Sequence, residues 1–316
     1  MRIPCSTIKR GIIAGASAAI LGACSSAPPP ARPVAPPITD DAAPGVLAGK
    51  VVWHDLLTHD AEAAREFYGD LFGWSFDGSE RAPGRYWDIT REGEIIGSVF
   101  SVDPDEVDSP LWLVSVSVSD VDGAVSRASG LGAAITSRPS DFPNRGRYAV
   151  LEDPHGAFLV LLRSTSGDPK DGREIEPGQW LWTELWTTDA PGAVEFYEAL
   201  LGYRSEGIAG RLQDSAEDEY GETPAEGDLP IVFFAMYSGE QARAGIHQLP
   251  VEAPPYWLSY IAVRDVAEAT ARAVELGAEV LLPPEVVNRG EAAILVDPTG
   301  APFGVQQWPR PEGGDR

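Results

Sequence analysis

The chain has 316 residues, 43% of them hydrophobic and 23% charged, enough for two domains of ordinary size, each with its own core. Its formal net charge of −24 at pH 7 argues against nucleic acid or anionic lipid headgroups as charge-driven partners. Two cysteines in the whole chain exclude a disulfide framework and a cysteine-rich metal site.

Residues 1–23 read as an export signal. Arg2, Lys9 and Arg10 make a positive start, and Gly11 to Gly22 is a run of apolar and small residues too short to span a bilayer as a stable helix. The run ends in Leu21-Gly22-Ala23-Cys24, which resembles the lipobox of bacterial lipoproteins. The resemblance implies cleavage before Cys24, lipidation of Cys24, and a tether of acyl chains rather than a spanning helix. It places the protein in a bacterial cell envelope, facing the periplasm or the exterior. Loss of residues 1–23 removes three positive charges and no acid, taking the net charge to −27. Residues 24–48 are dense in proline and predict an extended, poorly packed spacer.

The rest of the chain says the same thing twice. Trp53-His54-Asp55-Leu56, Asp60, Phe67-Tyr68 and Gly73 recur as Trp182-Thr183-Glu184-Leu185, Asp189, Phe196-Tyr197 and Gly202, always 129 residues on. Asp153-Pro154 with Gly156 recurs as Asp297-Pro298 with Gly300, now 144 residues on. A constant offset over many anchors means two copies of one unit. They are bounded as 49–165 and 179–309, with a linker at 166–178 and a tail at 310–316. The offset grows by 16 residues inside the second copy, where an acidic insertion at about 205–229 reads as a solvated loop.

Each copy begins with a strand, Val51 to Thr58 or Trp180 to Thr187. A helix capped by Asp60 or Asp189 follows, and Gly73 or Gly202 stops it. A second strand and helix come next: Leu111 to Val118 with Val121 to Leu131, and Tyr256 to Val263 with Val266 to Leu276. Strands Tyr148 to Glu152 and Ala292 to Val296 lead into the Asp-Pro-x-Gly turns. Phe158 to Leu162 and Phe303 to Trp308 close the copies.

This βαβββ order resembles the vicinal oxygen chelate superfamily of glyoxalases, bleomycin-resistance proteins and extradiol dioxygenases. So do Phe-Tyr in the first helix and Asp-Pro-x-Gly near the end. The resemblance implies an α+β fold of two tandem domains, each a pair of βαβββ modules forming a cupped, partly open barrel. It also implies where a divalent metal would be held: on the first and last strands of each module. Counting back from the Asp that ends each first strand puts those positions at Trp53, Leu113, Trp182 and Leu258. The last-strand positions fall at Ser98 or Val99, Val160, Ile246 or His247, and Gly304. Of these, only His247 is a metal donor of the usual kind, and one imidazole does not make a site. No cofactor is therefore expected, and a divalent metal is disfavoured.

Strand alternation then lists what faces the cups. Trp53, Asp55, Ser115 and Ser117 line the first; Trp182, Glu184, Trp186, Tyr260 and Gln306 line the second. Asp55 and Glu184 occupy equivalent places beside tryptophan, where a carboxylate serves either as a general base or as a structural acceptor of hydrogen bonds. The expectation is a small-molecule binding protein with aromatic cups. The alternatives are an enzyme of lyase or dioxygenase type, with Asp55 or Glu184 as base or with unforeseen metal ligands, and a structural protein of the envelope. Asn144-Arg145-Gly146 and Asn288-Arg289-Gly290 read as tight turns, or as a pair of anion-binding arginines.

Overall fold

The computed structural model describes residues 35–78, 84–209, 231–249, 254–287 and 290–309. The signal with Cys24, most of the acidic insertion, Asn288-Arg289 and the tail lie outside the described residues.

Copy 1 consists of two modules. The first runs β1 (Val51–Thr58), α1 (Ala61–Phe72), β2 (Ser75–Gly78), β3 (Tyr86–Arg91) and β4 (Glu94–Ser101). The second runs β5 (Leu111–Ser117), α2 (Val121–Gly130), β6 (Ala134–Phe142), β7 (Gly146–Glu152) and β8 (Phe158–Ser164). Copy 2 repeats the order. Its first module is β9 (Trp180–Thr187), α3 (Ala190–Leu201), β10 (Arg204–Ala209), β11 (Ile231–Ser238) and β12 (Gln241–Gln248). Its second is β13 (Tyr256–Val263), α4 (Val266–Glu275), β14 (Glu279–Val287), β15 (Gly290–Val296) and β16 (Pro302–Gln307). The Asp60 side chain accepts from the Ala63 amide and Gly73 ends α1 in the left-handed region; Asp189 and Gly202 do the same for α3.

In each copy the two modules join through their first strands. Antiparallel pairing of β1 with β5 and of β9 with β13 makes one eight-stranded sheet per copy, ordered β2-β3-β4-β1-β5-β8-β7-β6 in copy 1. The sheets are α+β cups that do not close into barrels, because β2 and β6 remain edges. Each cup therefore forms within one copy. Alternation sorts the faces as expected: Val114, Val116 and Leu161 pack under the helices, whereas Leu57, Leu113 and Val160 gather in a separate cluster on the cup side.

The helices lie between the two copies. One core joins α2 of copy 1 to α3 of copy 2, and another joins α1 to α4, so the two cups open away from each other. The hydrogen bonds across this seam obey the sequence repeat. Trp74 Nε1 donates to the Gly178 carbonyl, and Tyr203, 129 residues on, donates to the carbonyl of Gly49. The Tyr197 hydroxyl donates to Asp153 Oδ2 at 2.8 Å and itself accepts from Trp257 Nε1. Tyr68 mirrors it, accepting from Trp112 Nε1 and facing Asp297. The mirrored contact is looser, and Asp297 Oδ2 has no well-aligned donor.

The expectation of a poorly packed spacer up to residue 48 fails for its second half. Ala35 and Ile38 are buried, and Ile38 clusters with Val52, Trp53 and Leu162 at the mouth of cup 1. Asp168 in the linker fastens the segment, accepting from the Leu47 amide at 2.6 Å while the Ala43 amide bonds its carbonyl. Proline keeps this stretch out of helices and sheets, but an isoleucine with an apolar place to sit still packs.

Candidate functional site

Cup 1 is filled from within. Trp53 and Asp55 share a face of β1, and Ser98 on β4 stands directly across from Asp55. Asp55 Oδ1 accepts from Trp53 Nε1 at 2.8 Å and from the Ser98 hydroxyl. Arg145, from the turn before β7, lays its guanidinium 3.6 Å above the Trp53 ring and donates to the Tyr86 hydroxyl at 3.3 Å. Tyr86 donates onward to Asp88 at 2.5 Å. Burial raises the pKa of Asp55 and of Asp88, and the Arg145 charge pulls both back down. The result is a buried cation stacked on Trp53 whose charge acts on two carboxylates, with Ile38 in the same apolar cluster as Trp53. Ser115 is buried beside it. Ser117 is tied to the linker instead, donating to Asp168 at 2.6 Å, so it does not line an open cup.

Cup 2 is built differently at the same positions. Glu184 stands where Asp55 does and receives three donors: Trp182 Nε1 at 2.9 Å, Trp186 Nε1 at 3.3 Å and the Tyr260 hydroxyl at 3.1 Å. The last strands carry glycine where copy 1 has Ser98 and Val160. A Cβ on Gly245, opposite Glu184, would fall 2.6 Å from the Phe233 ring and 2.9 Å from Glu184 Cγ. One on Gly304, opposite Tyr260, would fall 2.4 Å from the Tyr260 ring. Glycine is what lets those side chains lie flat against the sheet. Gln306 is buried on β16, across from Ala262 and Ala292.

His247 lies two residues along from Gly245, opposite Trp186, and stacks on that ring with 5.0 Å between centroids. Burial lowers its pKa, with the Glu184 charge opposing. Ile246 and Val99 pack in the helix-side cores, so the alternatives Ser98 and His247 are the cup-facing ones. His54 also faces the seam. It stacks on Trp180 at 4.0 Å, and burial pushes its pKa down to about 3.

These donor sets do not fit a divalent ion. A metal needs several free lone pairs converging on one point. In cup 1 Asp55 accepts from Trp53 and Ser98, Asp88 accepts from Tyr86, and the Arg145 charge acts on both. In cup 2 the Glu184 carboxylate is met by two indole N–H groups and a phenol, and Leu258 and Gly304 offer no donor side chain. Among the described residues, no three His, Cys, Asp or Glu side chains group as metal ligands would.

Arg145, Tyr86 and Asp88 were not among the residues expected to line a cup. The repeated Asn-Arg-Gly was the one signal available for Arg145, and it specified a turn without the direction of the side chain.

Residues 50–161 match the Glyoxalase/Bleomycin resistance protein/Dioxygenase superfamily, and residues 182–306 match the Glyoxalase-like domain. The anthracycline biosynthesis protein DnrV of Streptomyces peucetius is 30% identical over 292 residues, 84% of this chain and 97% of that protein. CFP32 of Mycobacterium tuberculosis, provisionally named a glyoxylase, is 29% identical over 261 residues, 80% of this chain and 92% of that one. In fold, the chain is similar to the Mn(II)-bound glyoxalase of Novosphingobium aromaticivorans. The TM-score is 0.56 at 14% identity, over 83% of each chain.

Proposed function

The chain belongs to the glyoxalase/bleomycin resistance protein/dioxygenase superfamily, and from that footing we propose that it binds a small, flat molecule in cup 2 without a resident metal. The observation that carries this reading is the state of Glu184. Two indoles and a phenol donate to it where a metalloenzyme would present acceptors to an ion. The rings around it form an apolar wall suited to a planar ligand. Cup 1 offers less room for one, since the Arg145 guanidinium already covers its Trp53 ring. DnrV is named for the biosynthesis of anthracyclines, which are flat polycycles, and that name agrees with a planar ligand.

The enzymatic alternative, with Asp55 or Glu184 as general base, asks for a carboxylate with a lone pair aimed at substrate. Both are engaged by donors of the protein itself, which favours their role as fixed acceptors.

The body is proposed to be exported and held to a bacterial envelope membrane by lipid on Cys24, on the strength of the Leu21-Gly22-Ala23-Cys24 ending. The test of binding is a screen of planar aromatic compounds by tryptophan fluorescence, in chelator and with added divalent ions. Quenching that is saturable and the same in both buffers supports the reading. Quenching that appears only with an ion overturns it.

A further inference from the structure

On their cup faces the two copies differ along one row that crosses three strands. In copy 1, Phe100, Leu57 and Leu111 lie in register across β4, β1 and β5, an apolar row. The same places in copy 2 hold His247, Trp186 and Tyr256 across β12, β9 and β13. The three rings stack in sequence: His247 on Trp186 at 5.0 Å and 23°, then Trp186 against Tyr256 at 6.3 Å and 29°. Leu249, Leu258 and Tyr260 pack around the row.

Among the described residues, two polar groups in this row have no hydrogen-bond partner. The Tyr256 hydroxyl is buried, with the residue only 7% exposed, and makes no hydrogen bond. No hydrogen bond reaches the His247 imidazole among the described residues, although the ring is mostly enclosed. A buried hydroxyl without a partner destabilises the fold, because it has lost its bonds to water and gained none in return. Leucine and phenylalanine in copy 1 show that the fold itself does not require polar atoms there. Both groups can donate and accept, and among the described residues the charge that acts on His247 is the Glu184 carboxylate.

We infer that Tyr256 and His247 are the specificity-determining residues of cup 2, and that its ligand is an uncharged hydroxylated aromatic. Its ring lies on the Trp186 row, and its hydroxyl completes the bonds that Tyr256 and His247 lack. An anionic ligand would face Glu184 and be repelled. This inference rests on the proposal that cup 2 binds a planar molecule, and it adds the chemistry of the ligand's polar edge.

The test is equilibrium dialysis of the full chain against 1-naphthol and against 1-methylnaphthalene, which presents the same ring without a hydroxyl. The wild type binds 1-naphthol about tenfold more tightly, the worth of a hydrogen bond of roughly 1.4 kcal/mol. Tyr256→Phe and His247→Phe each lower the affinity for 1-naphthol toward that of 1-methylnaphthalene and leave the latter unchanged, which also shows that the variants are folded. His247→Gln, which keeps a polar edge, retains part of the preference. Equal binding of the two probes by the wild type overturns the inference, as does an equal loss for both in the variants. In those cases cup 2 still binds planar molecules. If neither probe binds, the binding proposal and the inference fall together.

Discussion

Val160 in copy 1 and Gly304 in copy 2 occupy the same place, and the difference decides what the strand beside them can carry. Val160 stands opposite Ser115, a small residue; Gly304 stands opposite Tyr260, whose ring needs the missing Cβ. Gly304→Val should force the Tyr260 ring away from Glu184. The expected destabilisation is about 1–3 kcal/mol, read by chemical denaturation, with the Tyr260–Glu184 bond lost as well. Arg145→Met tests the other cup. It leaves the half-buried Asp55 and Asp88 without the cation that acts on them, which should cost about 1–3 kcal/mol near pH 7.5. The loss should shrink as the pH falls and the two carboxyls, whose pKa values burial raises, take up protons. A loss independent of pH would show that Arg145 matters only for packing on Trp53. Alternation along β1 and β9 made Trp53, Asp55, Trp182 and Glu184 legible in the sequence, because every second residue faces the cup. Arg145 was not legible. Its aim depends on a turn in which Asn144 takes φ 64°, and a long side chain can leave such a turn in several directions.

At the scale of elements, the repeated motifs turn out to hold the copies together. Phe-Tyr on the first helix supplies Tyr68 and Tyr197, and the Asp-Pro-x-Gly turns supply Asp153 and Asp297 across the seam. Asp153 Oδ1 is held by the amides of His155 and Ala157, so Tyr197 is what satisfies Oδ2. Tyr197→Phe should cost about 1–3 kcal/mol and lower the calorimetric unfolding temperature. Tyr68→Phe should cost less, since its contact with Asp297 is looser. Equal effects would contradict that ordering. The sequence placed α1, α3 and the central strands β1, β5, β9 and β13 with few errors. Capping aspartates, stop glycines and clean apolar runs marked them. The outer strands β2, β3, β6, β10 and β14 carried no such signal. They are edge or near-edge strands, rich in charge, glycine and proline, and their place is set by pairing with a neighbour rather than by their own pattern.

At the scale of the molecule, charge sets the response to pH. Burial raises the pKa values of Asp55, Asp88, Asp153 and Asp297 above the ordinary 3.8. A carboxyl that holds its proton more tightly in the fold stabilises the fold while protonated. That contribution is complete below about pH 4 and is lost as the pH rises through the folded value. Arg147 and Arg243 lower Asp122 and Asp171, which works the other way, but Asp122 is solvent-exposed and counts for little. With self-repulsion from a net charge of −24 easing in the same direction, the thermal midpoint should be higher at pH 5 than at pH 7.5. A midpoint that falls would contradict the account. The anchor is tested apart from the body. Mass spectrometry of the membrane fraction should find acyl chains on Cys24, and Cys24→Ser should abolish them.

The tandem fold was legible because a repeat is visible without knowing what it builds. The packing of Ile38 with Val52, Trp53 and Leu162 was not, because one isoleucine among prolines has no period to announce it. The central claim is that the cups work without a resident metal, and elemental analysis tests it most directly. Protein purified without a chelating tag, then incubated with zinc, iron, manganese and nickel in turn and dialysed, should retain far less than one ion per chain. Near-stoichiometric retention of any one of them would mean that Asp55, Glu184 or His247 gives up its present contacts to bind it, and the protein would belong with the metalloenzymes of its superfamily.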